Sequence, residues 1–239
     1  MKKYLIAIIT IFCLSTQLRA QVTEAFKKVA TDTNRIVYDE QGNALHYYQY
    51  NKLVNSGDYT IRYHGRPGDT SVKAHLMKLT DVDKARFLVM IKERLSIKSG
   101  KLKEGNALDL TPLQGALGGV DFNKKVVVLV FWSSGCPPCT ESFDGLNNIF
   151  AQLPNPQDVV LIAITGDDKE SALAKLKEKP LLNAQQITNG GGLYSAYDMN
   201  TTSGYVVADK DHIVRLALSG MSPLTLTAIK STIASALAQ

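Results

Sequence analysis

A cysteine pair set just after a buried strand constrains this chain more than any other feature. Cys136-Pro137-Pro138-Cys139 follows Val126-Val127-Val128-Leu129-Val130-Phe131-Trp132, with only Ser133-Ser134-Gly135 between. The apolar run is rich in β-branched residues and predicts a strand over 125–132 covered on both faces. Beyond the second cysteine, Phe143, Leu146, Ile149, Phe150 and Leu153 recur at helical spacing, so a helix is expected over 138–153. A strand, a tight turn and a dithiol at a helix start together suit thiol–disulfide exchange. The first sulfur would lie near unpaired backbone N–H groups and the positive end of the helix dipole, and both stabilise a thiolate. The second sulfur lies one turn on, close enough to close a disulfide. On this pattern Cys136 is expected to be the exposed, low-pKa thiol and Cys139 the buried one.

The first twenty residues read as a cleaved targeting segment. Lys2-Lys3 is a basic start, Tyr4 to Leu14 is an apolar core of 11 residues, and Ala20 precedes the expected cut. The core is too short to span a bilayer. A lipid anchor at Cys13 would want a small residue before the cysteine, and Thr10-Ile11-Phe12 supplies none. Lys2, Lys3 and Arg19 leave with the segment. The 27 basic residues become 24 against an unchanged 22 acidic ones, so the net charge falls from +5 to +2. That balance gives no case for a nucleic-acid partner. No later segment is apolar enough to cross a membrane, so an exported, periplasmic or envelope protein without an integral membrane segment is expected.

Cleavage also removes Cys13 and leaves two cysteines, both in the C-x-x-C. A bridge across two residues closes a tiny loop and constrains the unfolded chain little, so a redox role is favoured over a structural one. Zinc would need two more ligands, and His46, His64, His75 and His212 are isolated in sequence. No metal and no cofactor is expected.

Residues 98–105 are polar, carry two glycines and show no apolar periodicity, so they read as a linker. The expected units are the segment 1–20, an N-terminal α+β extension over 21–100, and an α/β domain over 106–239. In the second unit a short strand is expected near Ala107–Leu110. After 138–153 come a buried strand over Val159–Ile164, a helix over Asp168–Lys177, a strand near Gln185–Thr188 and a short helix near Leu193–Tyr197. Gly204–Ala208 and Ile213–Leu218 form a hairpin around Asp209-Lys210-Asp211-His212, and Ser222-Pro223 opens a last helix. In the first unit, strands are expected over Arg35–Tyr38 and Tyr59–Tyr63 and a helix over Asp81–Leu95. Tyr47, Tyr48, Tyr50, Tyr59 and Tyr63 concentrate there, as core or rim residues or as an aromatic peptide-binding surface.

From about Leu110 onward the chain resembles the thioredoxin fold, in particular the exported TlpA/ResA-like thiol–disulfide oxidoreductases. Val128 to Cys139 looks like that family's active-site strand and loop, and Tyr205-Val206-Val207-Ala208-Asp209-Lys210-Asp211 like its final hairpin. The resemblance implies a central mixed sheet flanked by helices. It implies that Cys136 attacks a substrate disulfide and Cys139 resolves the mixed disulfide. Trp132, Gly135, Pro137, Pro138, Glu141, Thr202 and Ser203 would surround the pair. It also implies a protein dithiol or disulfide as substrate and a membrane protein as electron donor.

Four departures accompany it. The family's cis-proline position holds Ser203 after Thr202, and a cis bond before a non-proline costs about 3 kcal/mol, so a trans peptide is expected. The family's carboxylate three residues after the second cysteine is Ser142, with Glu141 about 100° round the helix. A buried Asp of thioredoxin is Val130, and the usual bulky residue before the first cysteine is Gly135. Weak reductase activity is therefore expected, with Ser203→Pro raising it if the variant folds. The alternative is a thioredoxin-like accessory module with little turnover. A thiol peroxidase is disfavoured, because no arginine lies between Arg94 and Arg215 to bind peroxide.

Overall fold

The computed structural model describes residues 35–64 and 73–239, so the expected targeting segment and Cys13 lie outside the described residues. The second unit is built on a five-stranded sheet. Its strands are β5 (Val126–Trp132), β6 (Val159–Thr165), β7 (Ala184–Ile187), β8 (Gly204–Ala208) and β9 (Val214–Ser219), in the order β7-β6-β5-β8-β9. β5, β6 and β7 run parallel, β8 runs antiparallel to β5, and β9 runs antiparallel to β8. Every residue of β5 and β6 is buried, as their unbroken apolar sequences require of strands covered on both faces.

Alternation along β5 divides the core. Val126, Val128, Val130 and Trp132 face helices α4 (Pro137–Ala151) and α7 (Pro223–Leu237). Val127, Leu129 and Phe131 belong to the opposite layer, with residues of α3 (Thr111–Leu117) and α6 (Gly191–Ala196). Gly145 lets α7 approach α4: a Cβ there would come within 2.4 Å of Leu226. The helix α5 (Lys169–Glu178) starts where Asp168 accepts from Ser171 N–H at 2.9 Å.

The expected elements thus form with shifts of a residue or two. The exception is Ala107–Leu110. It makes an isolated bridge, Ala107 to Ile213, and no strand; the chain turns instead into α3. The polar tract 98–105 has no helix or strand, yet it is fastened to the domain. Leu102 is fully buried, Ser99 Oγ donates to Tyr197 O at 2.9 Å, and Gly105 N–H donates to Val214 O at 2.8 Å.

The first unit is a four-stranded sheet, β2-β1-β4-β3, formed by β1 (Val37–Tyr38), β2 (Ala44–Leu45), β3 (Tyr59–His64) and β4 (Lys73–Lys78). Val37, Ala74 and Leu76 pack on Tyr50 and Val54 of helix α1 (Tyr47–Val54). Tyr47 and Tyr59 pack at the margin of this core, while Tyr48 and Tyr63 are exposed. Helix α2 (Asp81–Leu95) has the predicted bounds and starts in a capping box between Thr80 and Asp83. Among the described residues no helix is long and apolar enough to cross a membrane.

Asp58 ties three elements together. Its carboxylate receives Lys84 of α2 at 2.9 Å and Lys230 of α7. Burial pushes its pKa up, but the bonds from Lys230 and Lys84 outweigh that and hold it below its ordinary 3.8. A lowered folded-state pKa gives stability that is present above the unfolded value and is lost as pH falls through the folded one. Asp58→Ala is therefore expected to cost about 1–3 kcal/mol at pH 7. The difference between the melting curves of variant and wild type should close as pH drops below about 3.8. A gap that persists at pH 2 would assign the loss to packing.

Candidate active site

β5 ends at Trp132, the turn is Ser133-Ser134-Gly135, and Cys136 occupies the N-cap of α4. Cys136 and Cys139 are joined as a disulfide, with Cα atoms 5.4 Å apart. Cys136 is half-buried and Cys139 has no exposed surface, so the first sulfur is the more accessible of the two. Gly135, Pro137 and Pro138 are exposed around Cys136.

The helix start offers fewer donors than its dipole suggests. Pro137 and Pro138 have no N–H. The next two N–H groups, of Cys139 and Thr140, both turn to Cys136 O, at 3.0 and 3.3 Å. The thiolate support expected from unpaired N–H groups therefore falls to the dipole itself.

Asp167 belongs to the site although the sequence gave no local signal for it. Trp132 pairs with Thr165 at the carboxyl ends of the parallel β5 and β6, so the residues that follow each strand must lie side by side. The Asp167 carboxylate accepts Ser134 N–H at 2.6 Å and Ser133 Oγ at 3.4 Å, fixing the turn before Cys136. Burial pushes its pKa up, and the hydrogen bonds from Ser134 more than offset this, so it stays below the usual range. Tyr194 braces the same end from α6, donating to Trp132 O at 3.0 Å. Burial, together with the Asp167 charge, pushes its phenol up to about 12.

Behind the pair, Trp132 is fully buried and its ring meets Phe143 edge-on at 5.4 Å between centroids. Tyr205 donates to Ser142 Oγ at 3.0 Å, and Ser142 donates to Cys139 O at 2.5 Å. Glu141, one residue earlier on the helix, is exposed and outside this buried group.

Ser203 precedes β8. Its N–H donates to Phe131 O at 3.0 Å and its carbonyl accepts from Gly220 N–H at 2.7 Å. Among the described residues no peptide bond is cis, as expected at Thr202–Ser203. The unexpected feature is its φ of +70°, in the left-handed region that disfavours a side chain. Thr202 is exposed, and Ser203 is buried with its hydroxyl near the Tyr205 phenol. Proline cannot adopt a positive φ and has no N–H to give Phe131. The expectation that Ser203→Pro raises activity is therefore reversed.

A family model described as the AhpC/TSA family matches residues 114–217, from α3 through the cysteine pair into β9. The fold is thioredoxin-like. The cysteine pair lies within the matched residues. No curated protein matches the chain. Among solved structures it is similar to a proposed thiol:disulfide interchange protein DsbE from Chlorobium tepidum, at 25% identity over 49% of this chain and 83% of that one, with a TM-score of 0.45. A secreted Mycobacterium tuberculosis disulfide oxidoreductase homologous to E. coli DsbE is 20% identical over 46% of this chain and 84% of that one, with a TM-score of 0.40. A thiol-disulfide oxidoreductase from Bacteroides fragilis is 18% identical over 48% and 86%, with a TM-score of 0.41.

Proposed function

We propose that this chain is an exported thiol–disulfide oxidoreductase that works chiefly as a reductase of protein disulfides. The observation that carries the reading is the half-buried Cys136 at the start of α4, disulfide-bonded to the fully buried Cys139. Reduced Cys136, as thiolate, attacks a substrate disulfide. One substrate sulfur leaves as a thiolate and a mixed disulfide forms. Cys139 then attacks Cys136 Sγ, the second substrate sulfur leaves, and the chain ends as the Cys136–Cys139 disulfide. Two electrons have passed to the substrate and must be replaced by a dithiol donor held at the membrane. Export is supported by Lys2-Lys3, the short apolar core and Ala20; N-terminal sequencing of the exported product is expected to start at Gln21.

The test is a titration of the mature protein in glutathione buffers of graded potential, followed by insulin reduction. The Cys136–Cys139 couple is expected to open and close reversibly with two-electron behaviour and to turn over insulin, slowly. A disulfide that stays closed across the range, with no turnover, would make the chain an accessory module instead.

A further inference from the structure

Resolving a mixed disulfide requires Cys139 to lose its proton in a place where water does not reach it. Burial alone raises a thiol's pKa and slows that step. A buried carboxylate would serve as acceptor. Among the described residues the one buried carboxylate is Asp209, and it is held by Arg215 at 2.6 Å. It lies at the wrong end of the sheet. β8 runs antiparallel to β5, with Gly204 beside Phe131 and Ala208 beside Val127. Asp209 therefore sits level with the start of β5, six residues, or roughly 20 Å, from the end of the strand that leads to the cysteines.

What the interior does place next to Cys139 is hydroxyl groups. Ser142, Tyr205 and Ser203 come from α4, β8 and the loop before β8, and all three are buried. Tyr205 donates to Ser142, Ser142 donates to the Cys139 carbonyl, and the Ser203 hydroxyl adjoins the Tyr205 phenol. Ser203 Oγ is nevertheless without a hydrogen-bond partner among the described residues, as is Trp132 Nε1. Both are donors left over while the sulfurs are tied in a disulfide. A buried donor without an acceptor costs about 1–3 kcal/mol, and a thiolate is an acceptor.

We propose that the Ser142, Tyr205 and Ser203 hydroxyls form a donor network that holds the Cys139 sulfur as a thiolate during the resolving step, in place of a carboxylate base. The proposal rests on the exchange reading given above. Burial raises the Tyr205 pKa, so its hydroxyl keeps its proton and acts as donor. The titratable groups near the site are Glu141 on α4, Asp167 after β6, Tyr194 on α6 and Tyr205 on β8. Glu141 is exposed, Asp167 bonds the turn before Cys136, and Tyr194 bonds the end of β5. Ser142 is three residues on from Cys139, on the same side of α4, and its hydroxyl already reaches the Cys139 carbonyl. The proton that Cys139 gives up ends on the departing substrate sulfur. The S–S bond to the substrate breaks as the Cys136–Cys139 bond forms, so no further reactant is needed.

The first measurement is the ultraviolet thiolate titration of Cys139 as the single thiol, in mature Cys136→Ser. Adding Tyr205→Phe or Ser142→Ala is expected to move the midpoint up by about half a pH unit or more. Ser142→Thr, which keeps a hydroxyl, should restore it. The second measurement uses oxidised glutathione on the reduced protein with both cysteines. The mixed disulfide on Cys136 is expected to persist several-fold longer in Tyr205→Phe and Ser142→Ala, with the rate of its formation unchanged. General damage to the fold would slow both steps, so the split identifies the network. An unmoved Cys139 midpoint in folded variants would overturn the proposal. If the wild type forms no mixed disulfide with glutathione, the exchange reading fails, while the titration still decides the hydroxyls.

Discussion

Cys139→Ser is expected to accumulate covalent complexes with substrate proteins, and Cys136→Ser to accumulate none. The difference follows from what each sulfur can reach. Cys136 is half-buried beside the exposed Gly135, Pro137 and Pro138, so a substrate disulfide can come into line with its sulfur. Cys139 has no exposed surface and can attack only what Cys136 already holds. Removing Cys139 leaves the first attack intact and deletes the group that ends the mixed disulfide. Removing Cys136 leaves a buried thiol that substrate does not touch. Insulin reduction should fall to the uncatalysed rate in both variants, so turnover alone would not separate the roles. The measurement that does is non-reducing electrophoresis with mass identification of the captured sulfur. Capture by Cys136→Ser, or equal capture by both, would reverse the assignment. Alkylation of the reduced wild type at mildly acidic pH should label Cys136 first, for the same reason.

The elements that position this site were legible because each is a local pattern. β5 and β6 are unbroken apolar strands, and α4 repeats Phe143, Leu146, Ile149 and Phe150 on one side. The hairpin is two apolar runs around a polar turn. The elements that escaped are short or ambiguous. α3 spans seven residues and contains Gly115. β4 has only Ala74 and Leu76 facing its core. α1 is only eight residues long and draws its buried residues, Tyr50 and Val54, from a tyrosine-rich stretch. Leu102 is a single apolar residue in a charged tract, and nothing local marks it as fully buried.

Within the site, the dithiol was legible and its surroundings were not. Asp167 is 33 residues from the Ser134 N–H it accepts, and Tyr205 is 63 from Ser142. Such contacts arise from strand register, which a single sequence does not state. Asp167 could have been anticipated once β5 and β6 were taken as parallel neighbours ending together. The two prolines show the opposite case. That they remove two backbone donors near the sulfurs is legible from the sequence, whereas the turning of the next two N–H groups to Cys136 O is not.

Ser203→Pro is expected to lower stability by about 3 kcal/mol or more, because it contradicts the backbone in two ways. Proline fixes φ near −65°, and Ser203 sits at +70°. The substitution also deletes the N–H that reaches Phe131 O at 3.0 Å, leaving that buried carbonyl without its partner. The position allows no easy relaxation. Gly204 follows at once, where a Cβ would already lie 1.9 Å from Met199 Cε and 3.3 Å from Phe131 Cβ, so the strand runs close against its neighbours. For a domain of this size the loss corresponds to a melting point lower by about 6–12 °C. Ser203→Gly is the control, since glycine adopts a positive φ without the side-chain penalty. It is expected to melt at or above the wild-type temperature while removing the same hydroxyl. Calorimetry of the oxidised proteins decides the matter. A proline variant as stable as wild type would mean that the loop can exchange its left-handed turn for the cis arrangement of related folds, and insulin reduction by that variant would then be expected to rise.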